Sequence, residues 1–430
     1  KEFKPGQLKI PMESFAAFYT LPALESLSLS TIYLIGDLPE GISKLKHLKS
    51  LDLAGTNIYS LPDDIGELAE NLTTLNLRGC QALASLGENI GKLVNLKTLT
   101  LSGCKVLKEL PEGFGNLIQL TALDLSDCER LERLSSDIGN LQVSTLTLRG
   151  CKLLKAVPES FGKLDKLTKL NFYDCAALES LPESIGNLTK VTEIDVSQCT
   201  ALTSLPASLG QLTGLKKLTM PRTGLTTLPA AISSLSALEE LDVTGKEGTP
   251  GIRGVAADVF SGLTKLKKLN ASNNSFSGDL SWLKNLSALQ TLRLDGNQLS
   301  GQLDLSQFSP NLTDVYLSNN KLEGNLNGIS TLTKVRNLYL EHNLLSGELP
   351  AELGNCSTLS YFYLSNNNIT GTIPVEVAKM NLGYSGLKLN GNRMSGEIPA
   401  EVLSSAVWKK LYPETNIYPQ QEGYGFSNVK

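Results

Sequence analysis

Six of the seven cysteines stand 23 or 24 residues apart: Cys80, Cys104, Cys128, Cys151, Cys175 and Cys199. Thiols can crosslink, hold soft metals or cycle between redox states, but zinc sites and disulfide frameworks draw on other spacings, such as close C-x-x-C pairs. A step of two dozen residues instead marks one slot that recurs once per structural repeat. Stacked strands bring such positions to ~4.8 Å, yet their Cβ vectors run parallel, whereas a disulfide needs them to converge to ~3.8 Å. Free, buried thiols in a packing ladder are the expectation, with Cys356 in LGNCSTL a lone buried or loop thiol outside it. The two histidines, His47 and His342, leave no material for a Ser-His-Asp or Cys-His arrangement or for a His-based zinc site. His47, in KLKHLK, reads as a solvated residue at a strand entrance. There is no phosphate-cradling GxxxxGK[ST] and no EF-hand loop. The expectation is therefore no enzyme, no catalytic residue, no metal and no cofactor.

Binding chemistry is better represented. VYL, LYL and FYL place Tyr316, Tyr339 and Tyr363 at one frame position of three consecutive repeats, with Tyr361 beside the last. Arg293, Asp295, Asp314, Arg336, Glu341, His342 and Lys388 border them. Rigid amphipathic aromatics flanked by mixed charge serve as anchors against proteins and as stacking platforms against sugars. Tyrosine is also a good strand former, so the same row has a purely structural reading.

These residues must be positioned by the frame L-x-x-L-x-L-x-x-C-x-x-L, seen at 120–131. It opens at Leu24, Leu48, Leu72, Leu96, Leu120, Val143, Leu167, Val191, Leu215, Leu238, Leu266, Leu289, Leu312, Val335, Leu359 and, less cleanly, Tyr384. The steps are 23 to 25 residues, apart from 28 between Leu238 and Leu266. On this frame the chain resembles the leucine-rich repeat family over residues 24 to 402. The resemblance implies an α/β fold: a right-handed solenoid, or horseshoe, of about sixteen coils with a parallel β-sheet on its concave face. Short helices, 3₁₀ turns and short strands should occupy the convex side.

The chain divides accordingly. Residues 1–23 read as an N-terminal cap in which Phe15, Phe18 and Tyr19 cover the first coil. Residues 24–243 carry the Cys-type repeats, with Thr56 and Thr223 in the flanking slots and convex segments such as LPESIGNL, where proline should take a first helical position. An irregular Gly-rich seam spans 244–262. Over 263–402 the slot becomes Asn274, Asn297, Asn320, Asn343, Asn367 and Asn392. Asparagine both donates and accepts, so it can satisfy the departing loop and the next coil. The tails there, from FSGDL to MSGEIP, are similar to the plant-receptor subtype, which implies a second short strand. Residues 403–430 form a C-terminal cap, with Trp408, Tyr412 and Ile417 expected to close the stack. Its string NIYPQQEGYGF resembles extracytoplasmic leucine-rich repeat proteins of gut Bacteroidota, many of them lipoproteins.

Thirty-nine basic and 43 acidic residues leave a net charge of −4, so nothing gathers phosphate backbones and nucleic acid is not an expected partner. No apolar run reaches the ~18 residues of a membrane span, and any targeting segment or lipid anchor lies outside these residues. On the concave face, Lys216, Glu239 and Lys267 form one row and Glu193, Lys217, Glu240 and Lys268 the next, alternating charges expected to pair laterally. The leading expectation is a monomeric, non-catalytic recognition module, cell-surface or secreted, that binds a protein or glycan. Its site would be the concave-face set Tyr316, Tyr339, Tyr361, Tyr363, Arg293, Asp314, Arg336, Glu341, His342 and Lys388. The alternatives are the ectodomain of a larger receptor or effector, and a structural spacer or adhesin.

Overall fold

A computed structural model describes residues 11–30 and 32–428, so residues 1–10 of the expected cap lie outside the described residues. The chain forms two compact units, Lys1–Leu225 and Thr226–Lys430.

In the first unit each coil contributes one three-residue strand, from Ser26–Ser28 to Lys217–Thr219. Neighbours pair in parallel and in register, for example Leu51 with Leu75 and Leu75 with Leu99. The strands are short because only the L-x-L core of the frame is extended: the central leucine points inward and its neighbours face solvent, as in Thr74–Asn76. Behind the strands lie 3₁₀ turns such as Glu159–Lys163 and Glu183–Asn187. Proline does not take the first helical position as expected. Pro182 is extended, with φ −71° and ψ 154°, and the turn begins at Glu183. The glycine inside these turns has a packing reason. A Cβ on Gly162 would sit 2.3 Å from the carbonyl oxygen of Ser184 in the next coil, and one on Gly139 would sit 1.8 Å from that of Ser160.

All six ladder cysteines are free and fully buried, and Cys356 is buried too. Each ladder thiol points at a main-chain oxygen of the preceding coil, Cys128 Sγ to Leu101 O at 3.3 Å being typical. Burial pushes the thiols up, to about 12 for Cys128 and Cys199.

The second unit repeats the strand plan from Glu240–Asp242 to Leu387–Lys388 and adds a second layer of strands. Arg253–Val255, Ser275–Gly278, Gln298–Leu303 and Lys321–Gly324 form a four-stranded parallel sheet, and Ser346–Glu348 pairs with Asn368–Thr370. The slot asparagines build this layer. Asn343 donates from Nδ2 to Leu317 O at 3.0 Å and to Leu340 O at 3.1 Å, while its Oδ1 accepts from Leu322 N at 3.0 Å. The stitched backbone belongs to the residue's own and the preceding coil, where the sequence reading had pointed to the following one. That reading also missed a second-strand pair in the first unit, Ile35–Gly36 with Asn57–Ile58. The signal was present: LIGDLP at 34–39 spells the same tail.

The Gly-rich stretch closes through its glycines. A Cβ on Gly245 would lie 1.7 Å from Asn273 O, and one on Gly251 would lie 2.4 Å from Asn274 Oδ1. It leads into the helix Ala256–Phe260, where Phe260 packs edge-on against Phe276 at 5.1 Å. At the amino end Phe15 and Tyr19 are buried against each other. At the carboxyl end Ile417 and Leu411 are fully buried, but Tyr412 is 53% exposed and does not fill the stack. Its left-handed backbone, φ 49°, turns the side chain away while the adjacent Leu411 takes the interior place. Tyr384, which opens the last coil in the sequence frame, is likewise 69% exposed, and the core position nearby is filled by Leu382.

Candidate ligand-binding face

The exposed face of the sheet reads as rows, because register places equivalent frame positions side by side. In the first unit the row between the second and third leucines is small and polar: Asp52, Asn76, Thr100, Asp124, Thr147, Asn171 and Asp195. Its Asp and Asn side chains turn back on their own backbone, as when Asp124 Oδ1 accepts from Ser126 N at 2.9 Å. They cap the turn that follows each strand.

The same row in the second unit runs Asn270, Arg293, Tyr316, Tyr339, Tyr363 and Lys388. All four expected tyrosines come together. Tyr316 stacks on Tyr339 with centroids 4.7 Å apart and planes 14° apart, Tyr363 meets Tyr339 edge-on at 4.7 Å, and Tyr361 meets Tyr363 at 6.3 Å. Cations close both ends, Arg293 at 4.2 Å over the Tyr316 ring and Lys388 at 4.0 Å over Tyr363. Neither cation stands as a free charge beside the row. The phenol oxygens have no hydrogen-bond partner among the described residues and are not buried. Burial, then the neighbouring Tyr316, raises the Tyr339 phenol to about 12, and burial raises Tyr363. Both hydroxyls therefore stay protonated at neutral pH and can donate.

The bordering residues divide. Asp314 accepts from Thr313 Oγ1 at 2.6 Å and from Asn337 Nδ2, and Glu341 accepts from Ser318 Oγ at 2.8 Å. His342 stands apart from the row for a backbone reason. The position before each slot residue adopts positive φ, 57° at Asn319, 54° at His342 and 59° at Asn366, and the His342 ring nitrogen lies 3.2 Å from Asn366 Nδ2. Arg336 is exposed and its guanidinium has no partner among the described residues. Half-buried Asn337 and the buried hydroxyls of Ser318 and Ser365 brace this face and were absent from the sequence-based set. Fixed offsets from the leucines would have found them.

The charged rows pair as alternation predicts: Lys169 with Glu193 at 2.9 Å, Lys267 with Glu239 at 2.6 Å and Lys268 with Glu240 at 2.8 Å. Exposed pairs of this kind are worth ~0.5 kcal/mol each. Among the described residues no group of His, Cys, Asp and Glu could hold a metal ion, and no helix is long and apolar enough to cross a membrane.

Parallel coils that each give one strand to a sheet with an exposed, side-chain-bearing face define a repeat solenoid. Comparison with known proteins gives the family. A leucine-rich repeat region model matches residues 113–220 and 170–324, and a single-repeat Leucine Rich Repeat model matches 95–117, 334–356 and 358–380. The chain belongs to the leucine-rich repeat family. It is similar to the crystal structure of a TDR receptor, with 27% identity and a TM-score of 0.66 over 92% of this chain and 69% of that one. It is also similar to a leucine-rich repeat protein of Leptospira interrogans, with 28% identity and a TM-score of 0.55 over 88% of this chain and all of that one. TMV resistance protein N of Nicotiana glutinosa is 46% identical over 69 residues, which is 16% of this chain and 6% of that protein. The chain thus spans a small fraction of that curated relative.

Proposed function

We propose that the protein is a non-catalytic recognition module whose ligand is a protein or peptide, held against the Tyr316–Tyr339–Tyr363 ladder. The observation that carries this reading is how the ring faces are used. Tyr316 has Tyr339 against one face and Arg293 against the other, and Lys388 lies over Tyr363. A sugar that stacks on an aromatic needs an open face, whereas a protein surface can pack on ring edges and accept from phenol hydroxyls. Of the two ligand classes, the ladder therefore suits protein. Arg336, exposed and unpaired, adds a donor for a carboxylate on the ligand. The rows are braced by cross-strand contacts before any ligand arrives, so little ordering opposes association.

A pull-down with the full chain followed by titration of the recovered partner tests the site. Tyr339→Ala with Tyr363→Ala should weaken binding at least ~30-fold, or ~2 kcal/mol, at an unchanged far-ultraviolet circular dichroism spectrum. Unchanged affinity removes the site.

The likeness to a receptor structure supports an extracytoplasmic setting, and also the second reading, an ectodomain whose signalling part lies elsewhere. The tail NIYPQQEGYGF supports a Bacteroidota surface protein with a lipid anchor outside these residues. The gene that encodes the chain separates the two. A lipoprotein signal upstream favours the surface protein, and a membrane span with a signalling domain downstream favours the receptor.

A further inference from the structure

The second unit carries a groove on its second-strand layer, separate from the tyrosine ladder. The layer is interrupted between Lys321–Gly324 and Ser346–Glu348, which belong to different small sheets. Leu344 N still donates to Leu322 O at 2.8 Å, but one step on the link is only Ser346 Oγ to Gly324 O at 3.4 Å. The opening that results has a volume of about 580 Å³. Two glycines keep it open. Gly324 and Gly347 have φ of 97° and 81°, a left-handed backbone that side chains disfavour, and a Cβ on Gly324 would also stand 3.1 Å from Leu303 N.

The lining is neutral and bifunctional. Gln302, Asn325 and Asn368 offer amides, and Ser346 and Thr370 offer hydroxyls. The two charged members are one of each sign, Glu323 accepting from Gln302 Nε2 at 3.3 Å and Arg393 Nε donating to Gln421 Oε1 at 3.0 Å, so the lining carries no net charge. Leu344, 48% exposed, supplies an apolar wall. A second groove of about 390 Å³ meets the first at Gln302 and is lined further by Asp279, Ser281, Lys284, Gly301, Asp304 and Gln307. The track therefore extends across several coils.

We infer that this groove binds a neutral oligosaccharide. Amides and hydroxyls that each donate and accept match the vicinal hydroxyls of a hexose, and the exposed leucine matches its C–H face. A phosphate or sulfate group would meet Glu323 as well as Arg393, and Asp279 and Asp304 as well as Lys284, so no net positive field selects it, and an apolar ligand would leave most of the lining unpaired. The volume accommodates a few sugar units, and continuity with the second groove favours a linear chain.

Titration calorimetry of the full chain with cellotriose, laminaritriose, mannotriose, maltotriose and xylotriose tests the assignment. At least one should bind saturably. Thr370→Trp, which fills the groove from a half-buried strand position, should lower that affinity at least tenfold, and Thr370→Ser should retain it. Should the tryptophan variant fail to fold, Gln302→Ala with Asn368→Ala replaces it, with the same expected loss. Tyr339→Ala should leave sugar binding intact, which keeps this outcome distinct from that of the ladder. No saturable binding by any of the five sugars, an undiminished affinity in the groove variants, or a loss caused by Tyr339→Ala would each overturn the proposal.

Discussion

The Cys-slot coils and the Asn-slot coils solve one packing problem with different chemistry. A cysteine in the slot offers one weak donor, so Cys128 meets one carbonyl of the preceding coil and the convex chain moves off as a loop and a 3₁₀ turn. An asparagine offers two donors and an acceptor, so Asn343 meets two carbonyls and also captures Leu322 N. That captured amide lies in the strand Lys321–Gly324. In the second unit one side chain per coil thus holds the start of a second strand, although the first unit also forms such a pair at Ile35–Gly36 and Asn57–Ile58, where Thr56 occupies the slot. The groove exists only where this second layer exists and breaks.

The largest expected effect breaks the turn-based half. Gly139→Ala in the first unit sets a methyl against Ser160 O and should cost at least ~3 kcal/mol in urea unfolding, because backbone on both sides must move. Gly214→Ala, whose Cβ would meet only Thr189 O at an ordinary 3.5 Å, should cost no more than ~1 kcal/mol. Equal costs at the two sites would mean the coils are not stacked as tightly as drawn.

Exchanging the slots comes next. Asn343→Cys leaves Leu322 N and a carbonyl unpaired and should cost ~2–3 kcal/mol, with hydrogen exchange accelerated at Leu322 and its strand neighbours. Cys128→Asn buries an amide whose oxygen has no second strand to bond and should cost ~1–3 kcal/mol. A swap that leaves exchange at Leu322 unchanged would separate the second sheet from the slot residue.

The smallest effect is one of pH. The Cys128 and Cys199 thiols are raised to about 12 from an ordinary value near 9, and Tyr339 to about 12 from 10. For a raised group the stabilisation is complete below the unfolded value and is lost as pH climbs toward the folded one. Stability should hold to about pH 9 and then fall progressively toward pH 12. Cys128→Ala with Cys199→Ala should flatten the lower part of that fall, read from urea midpoints at successive pH. The native thiols should also resist iodoacetamide until the chain unfolds.

Much of this was legible in the letters. The frame at Leu120, Leu123 and Leu125 announces an inward strand face, and the 24-residue step announces which residues become neighbours. Once those two facts are granted, Tyr316, Tyr339 and Tyr363 must adjoin. The paired charges at Lys268 and Glu240 follow in the same way. What the letters did not disclose is direction and occupancy. Asn343 reaches backward along the stack because its side chain leaves the strand toward the preceding coil. Tyr412 faces solvent because a left-handed backbone at that position sends Leu411 inward instead.

The sequence by itself determined the coil, its period, its core and the adjacency of every row, since a repeated pattern of inward leucines has one way to bury them all. The tertiary structure decided which faces of those rows remain available. Ring stacking between Tyr316 and Tyr339, the cations at Arg293 and Lys388, and the opening at Gly324 and Gly347 depend on side-chain rotamers and on small offsets between coils. Such offsets are set by three-dimensional packing, to which a repeat period carries no reference.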